Sequence, residues 1–307
     1  MKKVLVATDK PFAPVAVNGI RKVVEEAGYE LLLLEKYTTL EELKEAAAMA
    51  DAMIIRSDIA SREVIEAAPS LKIVVRAGAG YDNIDLQACT ERGVVAMNTP
   101  GQNSNAVAEL AFALMLYSIR GAFSGASGTE LRGKAIGIHA YGNVGKYVAE
   151  IAKGFGMKIF AFDPFVKKEE IENDGVTALS SVEELYKTCQ YISLHMPANE
   201  KTKKLVNYDL LKLLPKKGML VNTARKEVID EPGLIKLMEE REDIRYVSDI
   251  APDAAAEFET KFAGRVVFTA KKMGAQTAEA NINAGIAAAK QIVAFFEKGD
   301  VTFKVNK

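Results

Sequence analysis

The chain has 307 residues, of which 49% are hydrophobic and 26% charged, and 40 lysines and arginines nearly balance 41 aspartates and glutamates. This composition is that of a soluble globular protein, which excludes a disordered or collagen-like chain, and the length predicts two domains. The formal net charge of −1 gives no electrostatic reason to expect a nucleic-acid or membrane partner.

The two cysteines, Cys89 and Cys189, have the spacing of neither a metal site nor a disulfide framework. We therefore predict no bound metal and a reducing, cytoplasmic compartment. The N-terminus passes from two lysines directly into a strand-like segment, without the apolar region of a signal peptide.

Apolar runs and amphipathic stretches alternate along the first part of the chain. In order they are strand 4–7, helix 15–26, a strand from 31, helix 40–49, strand 52–57, helix 61–68 and strand 72–78. Short apolar runs separated by helices are typical of a parallel sheet that is covered on both faces. This part therefore predicts a doubly wound α/β unit.

A second unit of the same kind follows. Its strand candidates are 134–140, 157–163, 191–197, 218–224, 244–250 and 266–270. A long helical stretch at 105–120 and a Gly- and Ser-rich break after it are interpreted as a hinge between the units. The last helix, about 277–298, is expected to return to the first unit.

Residues 137–163 form a strand, a glycine-bearing turn, a helix and a second strand that ends in Asp163. Dinucleotide turns need glycines for a tight bend, for close approach to pyrophosphate and for helix packing. Ala140 stands where the first glycine belongs, so the turn must tolerate one Cβ. Asp163 favours NAD over NADP because its carboxylate repels a 2′-phosphate. The alternative is a tight turn that binds nothing. The predicted cofactor-binding turn comprises Gly142, Asn143, Val144 and Gly145.

Five segments, in order, resemble successive motifs of the D-isomer-specific 2-hydroxyacid dehydrogenases. They are RAGAGYDNIDL (76–86), MNTPGQNSNAVAELAFALML (97–116), the nucleotide turn, SLHMP (193–197) and VNTARKEVIDE (221–231). The resemblance covers nearly the whole chain. Within the family, residues 54–78 resemble the members that act on phosphoglycerate.

The resemblance implies two doubly wound parallel-sheet domains with the active site in the cleft. A flavodoxin-like substrate domain would comprise residues 1–98 and 278–307, and a Rossmann cofactor domain residues 99–277. The implied activity is NAD-dependent oxidation of 3-phospho-D-glycerate, the first step of serine biosynthesis, by a homodimer joined through the cofactor domain. One alternative is reduction of glyoxylate, hydroxypyruvate or another 2-keto acid. Another is a non-catalytic NAD-sensing scaffold or corepressor.

The resemblance also assigns site residues. Arg225 falls where the family binds the substrate carboxylate and keto oxygen, a task that suits the planar guanidinium. The alternative for Arg225 is a surface ion pair. Asp249 matches the acid that contacts the nicotinamide carboxamide, and Arg76 is expected either to bind substrate or to brace its loop. The substrate is also assigned Arg56 and Ser57, together with the backbone N–H groups of Gly78 and Ala79. The cofactor is also assigned His195, Pro197 and Thr223.

The chain departs from the family at the catalytic histidine and at its glutamate partner. Counting from the flanking residues places Lys271 or Lys272 at the histidine position and Ala254, beside Asp253, at the glutamate position. A lysine needs no carboxylate partner to remain a proton donor, since its ordinary pKa is about 10.4. We therefore predict that one of these lysines is the general acid or base, and interpret His139 as an interior histidine.

The segment from residue 120 to 134 is shorter than the arm that reaches the second subunit in the family. Dimerisation is still expected. The chain also ends soon after its last helix, so we expect no C-terminal regulatory domain.

Overall fold

The computed structural model describes residues 1–307. The chain divides into two units, one of Met1–Asn103 with Gln276–Lys307 and the other of Ser104–Ala275. These boundaries lie a few residues from those expected from the sequence. None of the helices combines the length and the apolar character that a membrane span requires.

The first unit contains a five-stranded sheet. Its strands are β1 (Lys3–Thr8), β2 (Glu30–Glu35), β3 (Ala52–Ile55), β4 (Ile73–Arg76) and β5 (Val95–Asn98). All pairs are parallel and the order is β2-β1-β3-β4-β5, which is the flavodoxin-like order. The sequence did not predict β5, whose four residues follow a short helix and are extended by pairing with β4.

Helices cover both faces of this sheet, because successive strand residues point to opposite sides and both sides are apolar. The helices are α1 (Pro14–Glu26), α2 (Leu40–Ala48), α3 (Arg62–Ala67), α4 (Leu86–Glu91) and α12 (Ala278–Lys298). Val4 and Val6 of β1 pack towards α1 and α12, whereas Leu5 and Ala7 pack towards α2, α3 and α4.

The last helix, α12, packs against α1 in this unit. Thr277 caps its start, since the Thr277 side-chain oxygen accepts a hydrogen bond from Ala280 N at 3.1 Å, and Gly299, with φ of 67°, caps its end. The contact is close, because a Cβ added to Gly19 would lie 2.6 Å from Ile286 Cδ1. Small residues therefore let α12 approach α1 and bury its apolar side.

The second unit contains a seven-stranded parallel sheet. Its strands are β6 (Ala135–His139), β7 (Lys158–Phe162), β8 (Thr177–Ala178), β9 (Tyr191–Leu194), β10 (Met219–Asn222), β11 (Arg245–Ser248) and β12 (Val266–Phe268). The order is β12-β11-β10-β9-β6-β7-β8, so the direction in which successive strands are added reverses between β6 and β9, which are themselves parallel. This is a Rossmann order with one additional strand. The prediction of two doubly wound parallel sheets is confirmed.

The helices of this unit again cover both faces of the sheet. They are α5 (Ser104–Ile119), α6 (Asn143–Gly154), α7 (Lys168–Asn173), α8 (Val182–Thr188), α9 (Tyr208–Leu211), α10 (Glu231–Glu240) and α11 (Ala255–Lys261). After α5 the chain makes a left-handed turn, with φ of 59° at Gly121, 53° at Ala122 and 56° at Phe123. The left-handed region disfavours the latter two residue types, so this turn is strained.

The turn between β6 and α6 shows how the missing first glycine is tolerated. Ala140 has φ of 81°, a conformation that costs a non-glycine residue about 1 to 2 kcal/mol. No side chain fits at Gly145, because an added Cβ would lie 2.6 Å from the Ala140 carbonyl oxygen. At Gly142 an added Cβ would meet nothing within 4 Å.

We therefore expect Gly145→Ala to destabilise the protein by about 1 to 3 kcal/mol, because the methyl group collides with backbone that cannot move aside. Urea denaturation followed by circular dichroism measures this change. Gly142→Ala is the matched control and should leave the free energy of unfolding nearly unchanged. Equal effects of the two substitutions would contradict the geometry of this turn.

Candidate active site

The predicted site residues of the second unit follow the ends of five strands. Gly142–Gly145 follow β6, Asp163 follows β7, His195 and Pro197 follow β9, Thr223 and Arg225 follow β10, and Asp249 follows β11. The carboxyl ends of parallel strands meet at one edge of a sheet, and ligands bind there where the strand order reverses. The fold therefore brings these residues to one edge.

The start of α6 fits a phosphate group. The helix is preceded by Gly142, which has no side chain to cap the free N–H groups of the first turn. The space beside the Gly142 Cα is open, since an added Cβ would touch no atom within 4 Å. Free N–H groups and the helix dipole favour an anion at this position.

Asp163 is held at the edge of the same turn. Its Oδ2 accepts a hydrogen bond from Tyr141 N and its Oδ1 from Phe165 N, both at 2.8 Å. A carboxylate has about four acceptor sites, so capacity remains for the hydroxyls of a ribose. The side chain is half-buried and keeps one face towards solvent.

Thr223 supplies an independent sign of a ligand. Its side chain is 5% exposed and its Oγ1 has no hydrogen-bond partner. Leaving a buried hydroxyl unpaired costs about 1 to 3 kcal/mol, a cost that a bound polar group removes. Together with the open α6 terminus and Asp163, this orphaned hydroxyl fits a dinucleotide.

The two histidines are not poised for proton transfer. His139 Nδ1 lies 3.2 Å from Tyr186 Oη inside the unit, and burial lowers the pKa of His139 to about 4. His195 Nε2 lies 2.8 Å from Ser193 Oγ, and burial together with the nearby His139 lowers the pKa of His195 well below its ordinary value. Burial therefore favours the neutral form of both rings, and His139 is an interior histidine.

Arg225 is exposed and forms no ion pair. Its Nη1 donates a hydrogen bond to the carbonyl of the preceding Ala224 at 2.8 Å. The loop is fixed by Asn222, which accepts from Ala224 N and donates to the Arg225 carbonyl, both at 3.0 Å. The surface ion pair considered as an alternative is absent, and the guanidinium is available to an anionic ligand.

Asn222 was not predicted as a site residue, although its place as the polar end of an apolar strand was a usable signal. It is fully buried. Its side chain holds the loop that presents Arg225, so it acts through that residue.

Lys271 and Lys272 are exposed and lie in the loop that follows β12. Lys271 forms no ion pair with any carboxylate. Asp249 is fully buried beneath this loop, and its two carboxylate oxygens accept hydrogen bonds from Met273 N and Gly274 N, both at 2.8 Å. A contact of Asp249 with nicotinamide stays a prediction.

The acid next to the expected glutamate position has another partner. Asp253 forms an ion pair with Lys226. The backbone N–H groups of Asp253 and Ala254 donate to the two carboxylate oxygens of Glu231, each at 2.9 Å. Asp253 is therefore used within its own loop.

In the first unit, Arg56 is held without a carboxylate partner. Its Nη2 donates to Asn281 Oδ1 at 3.0 Å and its Nη1 to the Lys10 carbonyl at 3.4 Å. The guanidinium lies 5.1 Å from the centre of the Phe12 ring. These neutral contacts orient the guanidinium, which forms no ion pair. Ser57, the next residue, is exposed.

A buried acid, not predicted from the sequence, holds the Arg56 loop. Asp58 Oδ1 accepts hydrogen bonds from Asp9 N at 2.7 Å and Tyr37 Oη at 2.8 Å, and its Oδ2 accepts from Arg56 N at 3.2 Å. Asn83 adds a second brace, because its Nδ2 donates to the Arg56 carbonyl at 3.0 Å. The signal for Asp58 was an acid two residues beyond the predicted arginine.

Arg76 braces this loop and adds positive charge to it. Its Nε donates to the Arg56 carbonyl at 3.0 Å. Burial lowers the pKa of Arg76, the charge of Asp82 opposes this shift, and the charge of Arg56 reinforces it.

Gly78 differs from its expected role. Its N–H donates to the Arg76 carbonyl at 2.9 Å and is therefore already engaged within the chain. A Cβ added there would lie 1.7 Å from Arg76 Nη1, so the glycine makes room for the guanidinium. Ala79 is exposed, and its carbonyl oxygen accepts a hydrogen bond from Asn98 Nδ2 at 2.6 Å.

Known proteins with similar sequences or structures identify the family. Residues 118–270 match the family model "D-isomer specific 2-hydroxyacid dehydrogenase, NAD binding domain". A glyoxylate reductase from Thermococcus litoralis is 33% identical over 92% of this chain and 92% of its own length. D-3-phosphoglycerate dehydrogenase from Methanocaldococcus jannaschii is 34% identical over 88% of this chain. The match spans only 54% of that enzyme's length.

A solved structure agrees with these relatives. The NAD+-bound 3-phosphoglycerate dehydrogenase of Entamoeba histolytica has 50% sequence identity and a TM-score of 0.84, over 100% of this chain and 99% of the other. The predictions of the family and of an NAD-binding domain are confirmed. The chain belongs to the D-isomer specific 2-hydroxyacid dehydrogenase family.

Proposed function

We propose that the protein oxidises 3-phospho-D-glycerate to 3-phosphohydroxypyruvate with NAD, the first step of serine biosynthesis. The observation that carries this proposal is Arg56, whose guanidinium is held in place by neutral groups and forms no ion pair. A phosphorylated hydroxy acid carries two anionic groups. Arg56 would bind the phosphate of such a substrate.

The proposed roles follow from the chemistry of each side chain. NAD, when bound, accepts a hydride from C2 of the substrate. Arg225 orients the carboxylate and the C2 oxygen through its planar set of donors. The neutral form of Lys271 or Lys272 accepts the hydroxyl proton during oxidation, and the ammonium returns it during reduction.

The Entamoeba structure supports phosphoglycerate as the substrate, because its 50% identity extends over the whole of this chain. The glyoxylate reductase from Thermococcus supports a second candidate, the reduction of glyoxylate or hydroxypyruvate. The relatives that match this chain over most of its length are enzymes, which weighs against a scaffold without catalytic activity.

Homodimerisation through the second unit is part of the proposal. Phe123 is 68% exposed and its ring lies 5.2 Å from that of Tyr117, which is also exposed. This aromatic pair gives the unit apolar surface of the kind that subunit contacts use.

Arg56→Ala should raise the KM for 3-phosphoglycerate by about 10-fold or more while changing that for D-glycerate little. A charged hydrogen bond contributes about 1.5 to 3 kcal/mol, and only the first substrate carries the phosphate. Steady-state kinetics with both substrates measure the difference. Arg62→Ala is the matched control, because Arg62 forms exposed ion pairs with Glu66 and Glu91. Equal losses with both substrates would argue against a phosphate role.

Asp163→Ala and Asp163→Asn should both narrow the preference for NAD over NADP, because each removes the negative charge that repels the 2′-phosphate. The ratio of kcat/KM for the two cofactors measures this preference. Gly142→Ala should weaken both cofactors alike, since its methyl group fills the space beside the α6 terminus. A wild-type protein that uses NADP as well as NAD would show that Asp163 has been assigned wrongly.

Replacing the catalytic lysine by Met should lower kcat by about 10²- to 10⁴-fold and leave NAD binding intact. Lys271→Met and Lys272→Met serve as controls for each other. The rate of oxidation should rise with pH, because the base must be neutral, and the rate of reduction should fall. No inflection near pH 6.5 is expected, because burial lowers the pKa of both His139 and His195. Near-normal kcat in both variants would rule out the lysine mechanism.

A further inference from the structure

Asp249 is the first residue after β11 and is fully buried. A carboxylate in such a place is stable only when hydrogen-bond donors replace the lost water. The hydrogen-bond donors around Asp249 therefore indicate which part of the chain its carboxylate stabilises.

Those donors come from one short loop, residues 269–274. Met273 N donates to Oδ1 and Gly274 N to Oδ2, both at 2.8 Å. The Thr269 hydroxyl, which has one proton to donate, lies 2.6 Å from the Asp249 carbonyl oxygen, 3.0 Å from the Lys271 carbonyl oxygen and 3.1 Å from Asp249 Oδ1. Asp249 therefore contacts both ends of the loop, through its carboxylate at residues 273 and 274 and mainly through its backbone carbonyl at Thr269.

The loop comes this close only because residue 274 is glycine. A Cβ there would lie 2.9 Å from Asp249 Oδ2, and 3.4 Å and 3.5 Å from Val107 and Leu110 of α5. Gly274 is therefore fixed between the carboxylate and the helix. Lys271 and Lys272 lie between Thr269 and Met273, the two points at which Asp249 contacts the loop.

We propose that Asp249 is a positioning residue, whose charge holds the backbone of residues 269–274 so that the lysines are presented in their working orientation. This inference rests on the proposed function, in which one of these lysines transfers the proton. Asp249 would then take over the part that a carboxylate beside the catalytic group plays elsewhere in the family, but through the backbone of the loop.

Asp249→Asn tests the proposal because it keeps the size of the side chain. An amide offers one oxygen and one NH2 group, so it cannot accept hydrogen bonds from both Met273 N and Gly274 N. We expect kcat to fall at least 10-fold, the Kd for NAD to change less than 2-fold, and the pH dependence of oxidation to flatten. Asp253→Asn, the same change in a nearby exposed acid, should leave these quantities unchanged.

A double substitution separates positioning from general damage. In the Lys→Met variant that has lost activity, adding Asp249→Asn should lower kcat less than 2-fold further, because residues that act as one unit give non-additive losses. Additive losses would overturn the proposal. So would a 10-fold rise in the Kd for NAD, which would assign Asp249 to the cofactor.

Hydrogen exchange gives a reading that does not depend on activity. The amides of Met273 and Gly274 should exchange at least 10-fold faster in Asp249→Asn, whereas those of β10 should not change. If phosphoglycerate is not oxidised by the wild-type protein, the proposed function fails, and unchanged exchange in the variant separately overturns the anchoring. Gly274→Ala disturbs the same contact from the loop side and replaces Asp249→Asn if that variant does not fold.

Discussion

Two buried carboxylates fix the loops that carry Arg56 and the pair Lys271 and Lys272. Asp58 in the first unit and Asp249 in the second are buried, and both accept hydrogen bonds from the backbone of a loop at the carboxyl edge of a sheet. Burying a carboxylate is costly unless donors surround it, so each acid forces its loop into one path. The backbone that carries Arg56, Lys271 and Lys272 is thereby held in place.

The parallel sheets decide where those loops lie. Every strand of a parallel sheet ends at the same edge, so polar residues that follow successive strands collect there even when they are distant in the chain. The nucleotide turn lies at this edge at the cost of backbone strain, since Ala140 takes φ of 81° at the position where the general dinucleotide motif has its first glycine. Gly145 keeps the glycine of the motif that lets the helix approach the strand closely, which no other residue type allows there.

Three arginine side chains form no ion pair, and both histidines have a lowered pKa. Arg56, Arg76 and Arg225 form no ion pairs, although each is oriented by neutral hydrogen-bond partners. Burial lowers the pKa of both His139 and His195, which disfavours the protonated form of either ring. Proton transfer by Lys271 or Lys272, in the loop after β12, is our proposal.

The sequence by itself determined the two parallel sheets, the nucleotide turn and the family, because apolar runs, glycine spacing and ordered motifs are local features. It missed β5 and β8, whose few residues become strands only by pairing with a neighbour. Tertiary structure alone decided that the N–H of Gly78 is engaged by Arg76 and that Thr223 keeps an orphaned hydroxyl. It also revealed Asp58 and Asp249 as anchors, since which donors meet a buried carboxylate depends on loops that only the folded sheet brings together.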